Sequence, residues 1–320
     1  MSASFAAMWS ELSPVGRDAA TGGYRRFAWT SADRTLREWF TAEAARRSLD
    51  VVCDRAGNLW AWTGDPDAAA SAGRPGLAVG SHLDSVPDGG AFDGPLGVVA
   101  AFAALDVLRN RDHAPGRPVG IVCFADEEGA RFGVACAGSR LLTGALDPDR
   151  ARSLVDGDGA SMAEAMQGAG HDPRHLGPDD EAMRRVGTFV ELHVEQGRAL
   201  VDAYDGQGAA VGVASSIWPH GRWRLDLRGR ADHAGTTRLA DRDDPMLTLA
   251  TTLQAARDAA ERYDALATIG KLRVLPNGVN AIPSAVTAWL DARGPVETDV
   301  RAVVADVAEA AGVAAAEESW

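Results

Sequence analysis

Three apolar runs in this sequence each end in acids or imidazoles, and that pattern restricts the fold more than any other feature. Leu77-Ala78-Val79-Gly80 leads into Ser81-His82-Leu83-Asp84, Val119-Gly120-Ile121-Val122-Cys123-Phe124-Ala125 leads into Asp126-Glu127-Glu128-Gly129, and Thr188-Phe189-Val190-Glu191-Leu192 leads into His193. Short strands that are apolar on both faces belong inside an α/β layered fold with helices on either side. In open sheets of that kind ligands bind at the carboxyl edge, which is where these ionisable residues fall. Helical segments separate the strands as the fold requires. Ser31 can cap a helix with Leu36, Trp39, Phe40 and Ala44 on one face, and Pro95 suits the first turn of another whose buried side carries Val98, Phe102 and Leu105. Residues 147–187, rich in Asp, Gly and Pro, read as helix and loop on the surface.

After residue 208 the pattern changes. Trp223, Leu225 and Leu227 alternate with Arg222, Arg224, Asp226 and Arg228, the period of a strand with one wet face. A helix over 244–263, strands near 266–275 and 284–292, and a helix presenting Val300, Val303, Val304, Val307 and Ala311 ahead of Gly312 complete a small α+β sandwich with helices on one face. The expected architecture is an α/β domain with a mainly parallel sheet over 1–208 and a smaller α+β domain over 209–320. A length of 320 residues agrees with two domains, since one domain typically takes ~100–200.

Composition narrows the function. Lys and Arg number 32 against 45 Asp and Glu, and a net charge of -13 repels phosphate backbones and anionic lipid headgroups. Neither nucleic acid nor a membrane is an expected partner. No apolar run approaches the ~18 residues of a membrane span, and the first residues lack the basic and apolar regions of a signal peptide. Three widely spaced cysteines, Cys53, Cys123 and Cys136, argue for a reducing compartment, and the expected location is the cytoplasm.

The residues that carry chemistry are His82, Asp93, Glu127, Glu128 and His193. Neutral imidazoles and carboxylates are natural ligands of Zn²⁺ and related divalent ions, and a carboxylate can bridge two such ions. Asp93 sits in Gly89-Gly90-Ala91-Phe92-Asp93-Gly94, where glycines allow a tight turn. Asp84 points to the same side of an extended segment as His82 and can orient the imidazole. Adjacent side chains diverge, so of Glu127 and Glu128 one can bind metal while the other serves as general base. Singly, a strand-end His is more often structural and a Glu pair more often a solvated face. Together, at the ends of apolar strands in glycine-marked loops, they point to a metal site. The ligand types suit Zn²⁺ or Mn²⁺, and Co²⁺ or Ni²⁺ as well.

These segments, with Glu191-Leu192-His193-Val194-Glu195-Gln196-Gly197, His233-Ala234-Gly235-Thr236-Thr237 and Pro276-Asn277-Gly278-Val279-Asn280-Ala281-Ile282-Pro283, resemble the hydantoinase/carbamoylase family in order along nearly the whole chain. That family includes N-carbamoyl-L-amino-acid hydrolases, allantoate amidohydrolases and β-ureidopropionases, within a larger superfamily of dinuclear-metal aminoacylases and carboxypeptidases. The resemblance implies two divalent ions bridged by Asp93, with His82 and His193 on one ion, Glu128 on the other and Glu127 as general base. It implies that Gln196, His233, Asn280 and Arg293 hold the substrate's carboxylate or developing oxyanion. It implies that the second domain is a lid and a homodimerisation surface, with His233 acting in the partner's site. His113, His171, His175 and His220 match no ligand position.

The implied function is hydrolysis of a ureido or N-carbamoyl C–N bond on a small carboxylate. Allantoate is the substrate favoured by Ala19-Ala20-Thr21-Gly22-Gly23-Tyr24-Arg25-Arg26 and Glu128-Gly129-Ala130-Arg131-Phe132-Gly133, with N-carbamoyl-L-amino acids the alternative. Family members continue beyond the position of Trp320 with a returning catalytic segment that carries a further His ligand. From this follows a second expectation, an impaired member acting as a dimerisation or ligand-binding protein, with apolar surface left exposed on the catalytic sheet. A peptidase is the third reading.

Overall fold

The computed structural model describes residues 4–319. The chain divides into two compact units, Met1–Ala209 and Ala210–Trp320. The first unit runs α1 (Phe5–Leu12), α2 (Ser31–Arg46), β1 (Asp50–Cys53), β2 (Leu59–Trp62), α3 (Pro66–Ser71), β3 (Gly76–His82), α4 (Pro95–Asn110), β4 (Val119–Phe124), α5 (Ala137–Thr143), α6 (Pro148–Ser153), α7 (Met162–Gly168), α8 (Asp180–Arg184), β5 (Val186–Val190) and α9 (Ala199–Gly206). Its strands form a five-stranded sheet in the order β1-β2-β4-β3-β5.

The sheet is mixed. β3 is parallel to both β4 and β5, whereas β1 pairs β2, and β2 pairs β4, antiparallel. The expectation of a mainly parallel sheet therefore holds only for the half that carries the chemistry. The reason lies in the short turn Asp54–Asn58 between β1 and β2, which closes a hairpin but cannot carry a crossover.

Both faces of the central strands β2 and β4 are buried, with the alternation a pleat imposes. Leu59, Ala61, Ile121 and Cys123 pack with Leu36, Phe40, Val98 and Phe102, while Trp60, Trp62 and Val122 face the opposite way. That second core is completed by Ala151, Met162, Met166, Leu176 and Ala182, so the stretch 147–187 is a structural layer as well as surface. Its apolar residues are spread over helices of five to seven residues, too short for a 3.6-residue period to show. The cap of α2 is Thr30, whose side chain accepts the Asp33 N–H, one residue ahead of Ser31. β5 borders the sheet with Phe189 and Val190 exposed.

Phe102 shows how much this packing contributes. It is fully buried, its ring 5.3 Å from that of Phe40 and 6.1 Å from that of Trp39. Phe102→Ala is expected to destabilise the protein by about 3–5 kcal/mol, read as a lower urea midpoint at unchanged slope.

The second unit contains β6 (His220–Arg228), β7 (Asp232–His233), α10 (Pro245–Arg262), β8 (Leu266–Leu275), β9 (Ala281–Ile282), β10 (Ala285–Arg293), α11 (Glu297–Ala311) and β11 (Ala316–Ser319). An antiparallel sheet of order β11-β6-β10-β8 buries Trp223, Leu225, Leu227, Val286, Ala288 and Leu290 against Leu249 of α10 and Val300, Val303 and Val307 of α11. Gly312, with φ at 63°, closes α11 in the left-handed region. β11, absent from the sequence expectation, carries Glu317 and Glu318 and no apolar alternation. Among the described residues no helix is long and apolar enough to cross a membrane.

Candidate metal centre

Strand register assembles the site. His82 lies opposite Phe124 on β4, and Val79 lies opposite Val190 on β5. His82 follows Val79, and His193 follows Val190, by the same number of residues, so parallel pairing carries both imidazoles to one level at the carboxyl edge. The loop bearing Glu127 and Glu128 leaves β4 at that edge too.

Donor atoms of His82, Asp93 and Glu128 all lie within 4.8 Å of one another. His82 Nε2 is 3.8 Å from Asp93 Oδ1 and 3.6 Å from Glu127 Oε2. His193 Nε2 reaches the same Asp93 Oδ1 at 3.2 Å. The ring nitrogens facing away are both engaged: His82 Nδ1 donates to the Asp84 carbonyl at 3.1 Å and His193 Nδ1 to the Val194 carbonyl at 2.7 Å. Each imidazole thus turns its Nε2 toward Asp93, the nitrogen that would be available to a metal. Gln196 Nε2 donates to Asp93 Oδ2 at 2.5 Å. Glu128 groups with His82 around Asp93.

Asp84 ties the parts together. It is buried, its Oδ1 lies 3.4 Å from His82 Nδ1, and it accepts the backbone N–H groups of Glu127 and Glu128 at 3.2 and 3.0 Å. Asp84→Ala would strand those donors. The expected result is about 1–3 kcal/mol lower stability and ~10–100-fold weaker metal affinity, measured by urea denaturation and competition with a chelator.

The electrostatics mark an excess of negative charge. Burial opposes the charged ring of His82, but the hydrogen bond to Asp84 and the charges of Asp84, Glu127 and Glu128 outweigh it and raise the group to about 10. Burial, with Asp93, Glu127 and Asp84 close by, lifts Glu128 to about 7 against the pull of His82. Such a cluster calls for a cation, and its imidazole and carboxylate donors fit a divalent one. Cys136, which the sequence reading passed over as a ligand or catalytic group, donates its S–H to Glu127 Oε1 at 3.3 Å. Burial and then the Glu127 charge push the thiol up to about 12, so it remains a donor at neutral pH.

The Asp93 loop is held from two sides. Gly94 has φ at 83°, and a Cβ there would stand 2.5 Å from the His82 ring, so glycine is required on both counts. From the N-terminal side Tyr24 bridges to Gly89, Thr21 and Arg25 bond to Asp88, and Trp9 stacks on Phe92 with ring centroids 5.0 Å apart.

The family model described as peptidase family M20/M25/M40 matches residues 78–318, which include every candidate ligand. The chain belongs to that family. An N-carbamoyl-L-amino acid amidohydrolase of Geobacillus stearothermophilus is 38% identical over 302 residues, covering 92% of this chain and 69% of the relative. An allantoate amidohydrolase of Escherichia coli is 32% identical over 286 residues, covering 88% of this chain and 66% of the relative. The crystal structure of an amidase of the hydantoinase/carbamoylase family from Burkholderia vietnamiensis superposes with a TM-score of 0.84 at 25% identity, covering 96% of this chain and 73% of that one. The chain thus spans 66–73% of the length of these relatives.

In this M20/M25/M40 protein the remaining candidates belong to the second unit. His233 on β7 pairs with Ala281 on β9, and the Ala234 N–H donates to the Asn280 carbonyl at 2.9 Å, so His233 and Asn280 are neighbours. The Gly235 N–H donates to His233 Nδ1 at 3.1 Å, which leaves Nε2–H as an outward donor. Arg293 stands apart at the far end of β10, and its guanidinium contacts both Asp291 oxygens at 2.7–2.9 Å. That pair is partly exposed and contributes under ~1 kcal/mol.

Proposed function

We propose that this protein hydrolyses the ureido or N-carbamoyl C–N bond of a small carboxylate with the help of divalent metal held by His82, Asp93, Glu128 and His193. The observation that carries this reading is the convergence of two Nε2 atoms on Asp93 with the Glu127 carboxylate 3.6 Å from one of them. The relatives named for N-carbamoyl-L-amino acids and allantoate share one chemistry, a ureido group on a carboxylate, which supports this reading. Zn²⁺ or Mn²⁺ would suit the donor set, and two ions per chain are part of the proposal.

When bound, a divalent ion supplies Lewis acidity that polarises the substrate carbonyl and eases deprotonation of the attacking water. Glu127 takes the proton from that water and returns it to the leaving nitrogen. His233, through its Nε2–H, donates to the carbonyl oxygen as negative charge develops there. Gln196 and Asn280 orient the substrate, and Arg293 exchanges Asp291 for the substrate carboxylate, whose two oxygens its fork matches. Homodimerisation through the second unit is part of the proposal, with His233 acting in the site of a partner subunit.

The test is ammonia release from allantoate and from N-carbamoyl-L-amino acids by protein supplied with Zn²⁺ or Mn²⁺. Release from at least one, abolished by a chelator and restored by metal, is expected. Cleavage of dipeptides with no release from either ureido compound would replace this reading with a peptidase.

A further inference from the structure

Asn58 lies in the β1–β2 turn, carries none of the roles assigned above, and is fully buried. Its side-chain amide is inserted between the two ends of the loop that bears Glu127 and Glu128. Asn58 Oδ1 accepts the Ala125 N–H at 2.9 Å, and Asn58 Nδ2 donates to the Gly138 carbonyl at 3.2 Å. The ends also meet directly, with Gly138 N–H on the Ala125 carbonyl at 2.9 Å and Ala137 N–H on the Asp126 carbonyl at 3.0 Å. A Cβ at Gly138 would collide with Asn58 Oδ1, so the approach leaves no room for a side chain there.

Asn58 is itself held rigidly. Asp54, also buried, accepts Asn58 Nδ2 at 2.8 Å, the Asn58 N–H at 2.9 Å, the Ala56 N–H at 2.9 Å and Trp60 Nε1–H at 2.9 Å. The amide's two N–H bonds and its oxygen thus have partners, and its orientation is determined because oxygen and nitrogen cannot exchange places. Buried polar networks that are fully satisfied fix one geometry.

We infer that Asn58 is a positioning residue for the reaction: it closes the Ala125–Gly138 loop and so fixes where the Glu127 carboxylate stands relative to His82 and Asp93. The inference rests on the general-base reading of Glu127. A displacement of the base by about 1 Å can cost on the order of 100-fold in rate, so loosening this closure should be visible in turnover.

The experiment compares Asn58→Ala with wild type and with Phe102→Ala, which weakens the core without touching the loop. At saturating metal, Asn58→Ala is expected to lower kcat on the order of 10–100-fold with KM within about twofold, while Phe102→Ala keeps kcat below its melting range. Amide hydrogen exchange is measured alongside. Peptides spanning 125–138 should exchange faster in Asn58→Ala while those of β3 and α4 stay protected. Wild-type kcat in Asn58→Ala, or exchange that rises evenly across the first unit, overturns the proposal. The exchange measurement needs no turnover, so it decides the matter even if the ureido-hydrolase reading fails.

Discussion

Replacing Asp93 by alanine is expected to strip the purified protein of divalent metal and to lower kcat/KM by at least ~10³-fold, the several kcal/mol a catalytic metal contributes. Asp93 Oδ1 approaches both imidazoles, at 3.8 Å from His82 and 3.2 Å from His193, and the same carboxylate completes the tight group with Glu128. Alanine leaves the two imidazoles and the Glu128 carboxyl with no oxygen donor between them. Asp93→Asn keeps the shape and the Gln196 contact while removing the charge, and it should fail nearly as badly. The measurement is metal per chain by elemental analysis beside initial rates. Retention of metal by Asp93→Ala would show that the ion is held elsewhere.

Glu127→Gln should behave differently. Glutamine fills the same space, so metal content is expected to stay at the wild-type level while kcat falls by ~10²–10⁴, the contribution of a general base. Glu127 stands outside the group formed by His82, Asp93 and Glu128, yet its Oε2 lies 3.6 Å from His82 Nε2, close enough to serve a water molecule beside the metal. Loss of metal together with activity in this variant would reassign Glu127 as a ligand.

Much of the candidate site can be read from the sequence because its proposed ligands follow apolar strands. His82 and His193 are legible once β3 and β5 are taken as parallel, since one register brings both to the same edge. Asp93 is legible from its glycines, and Gly94 proves indispensable to the His82 ring. Other parts are hidden for physical reasons. β2 reads Leu-Trp-Ala-Trp, apolar at every position because both faces are buried, so no alternation announces an antiparallel hairpin. The contacts of Asn58 with Ala125 and Gly138, and of Cys136 with Glu127, join residues whose proximity no local pattern reports. Arg293 shows the opposite case, a cation whose motif suggests a carboxylate partner and which the fold pairs with Asp291 on its own strand.

The aspartate loop is not a self-sufficient turn. Its shape is inherited from Trp9, Thr21, Tyr24 and Arg25, far upstream in the chain, through a ring stack, a backbone bridge and bonds to Asp88. Thermodynamic reciprocity then links two events that look unrelated: whatever factor the docked N-terminal segment adds to cation affinity, a bound cation adds to the docking of that segment. Occupancy of the site would accordingly suppress fraying of α1, and that helix becomes a remote reporter of the ion.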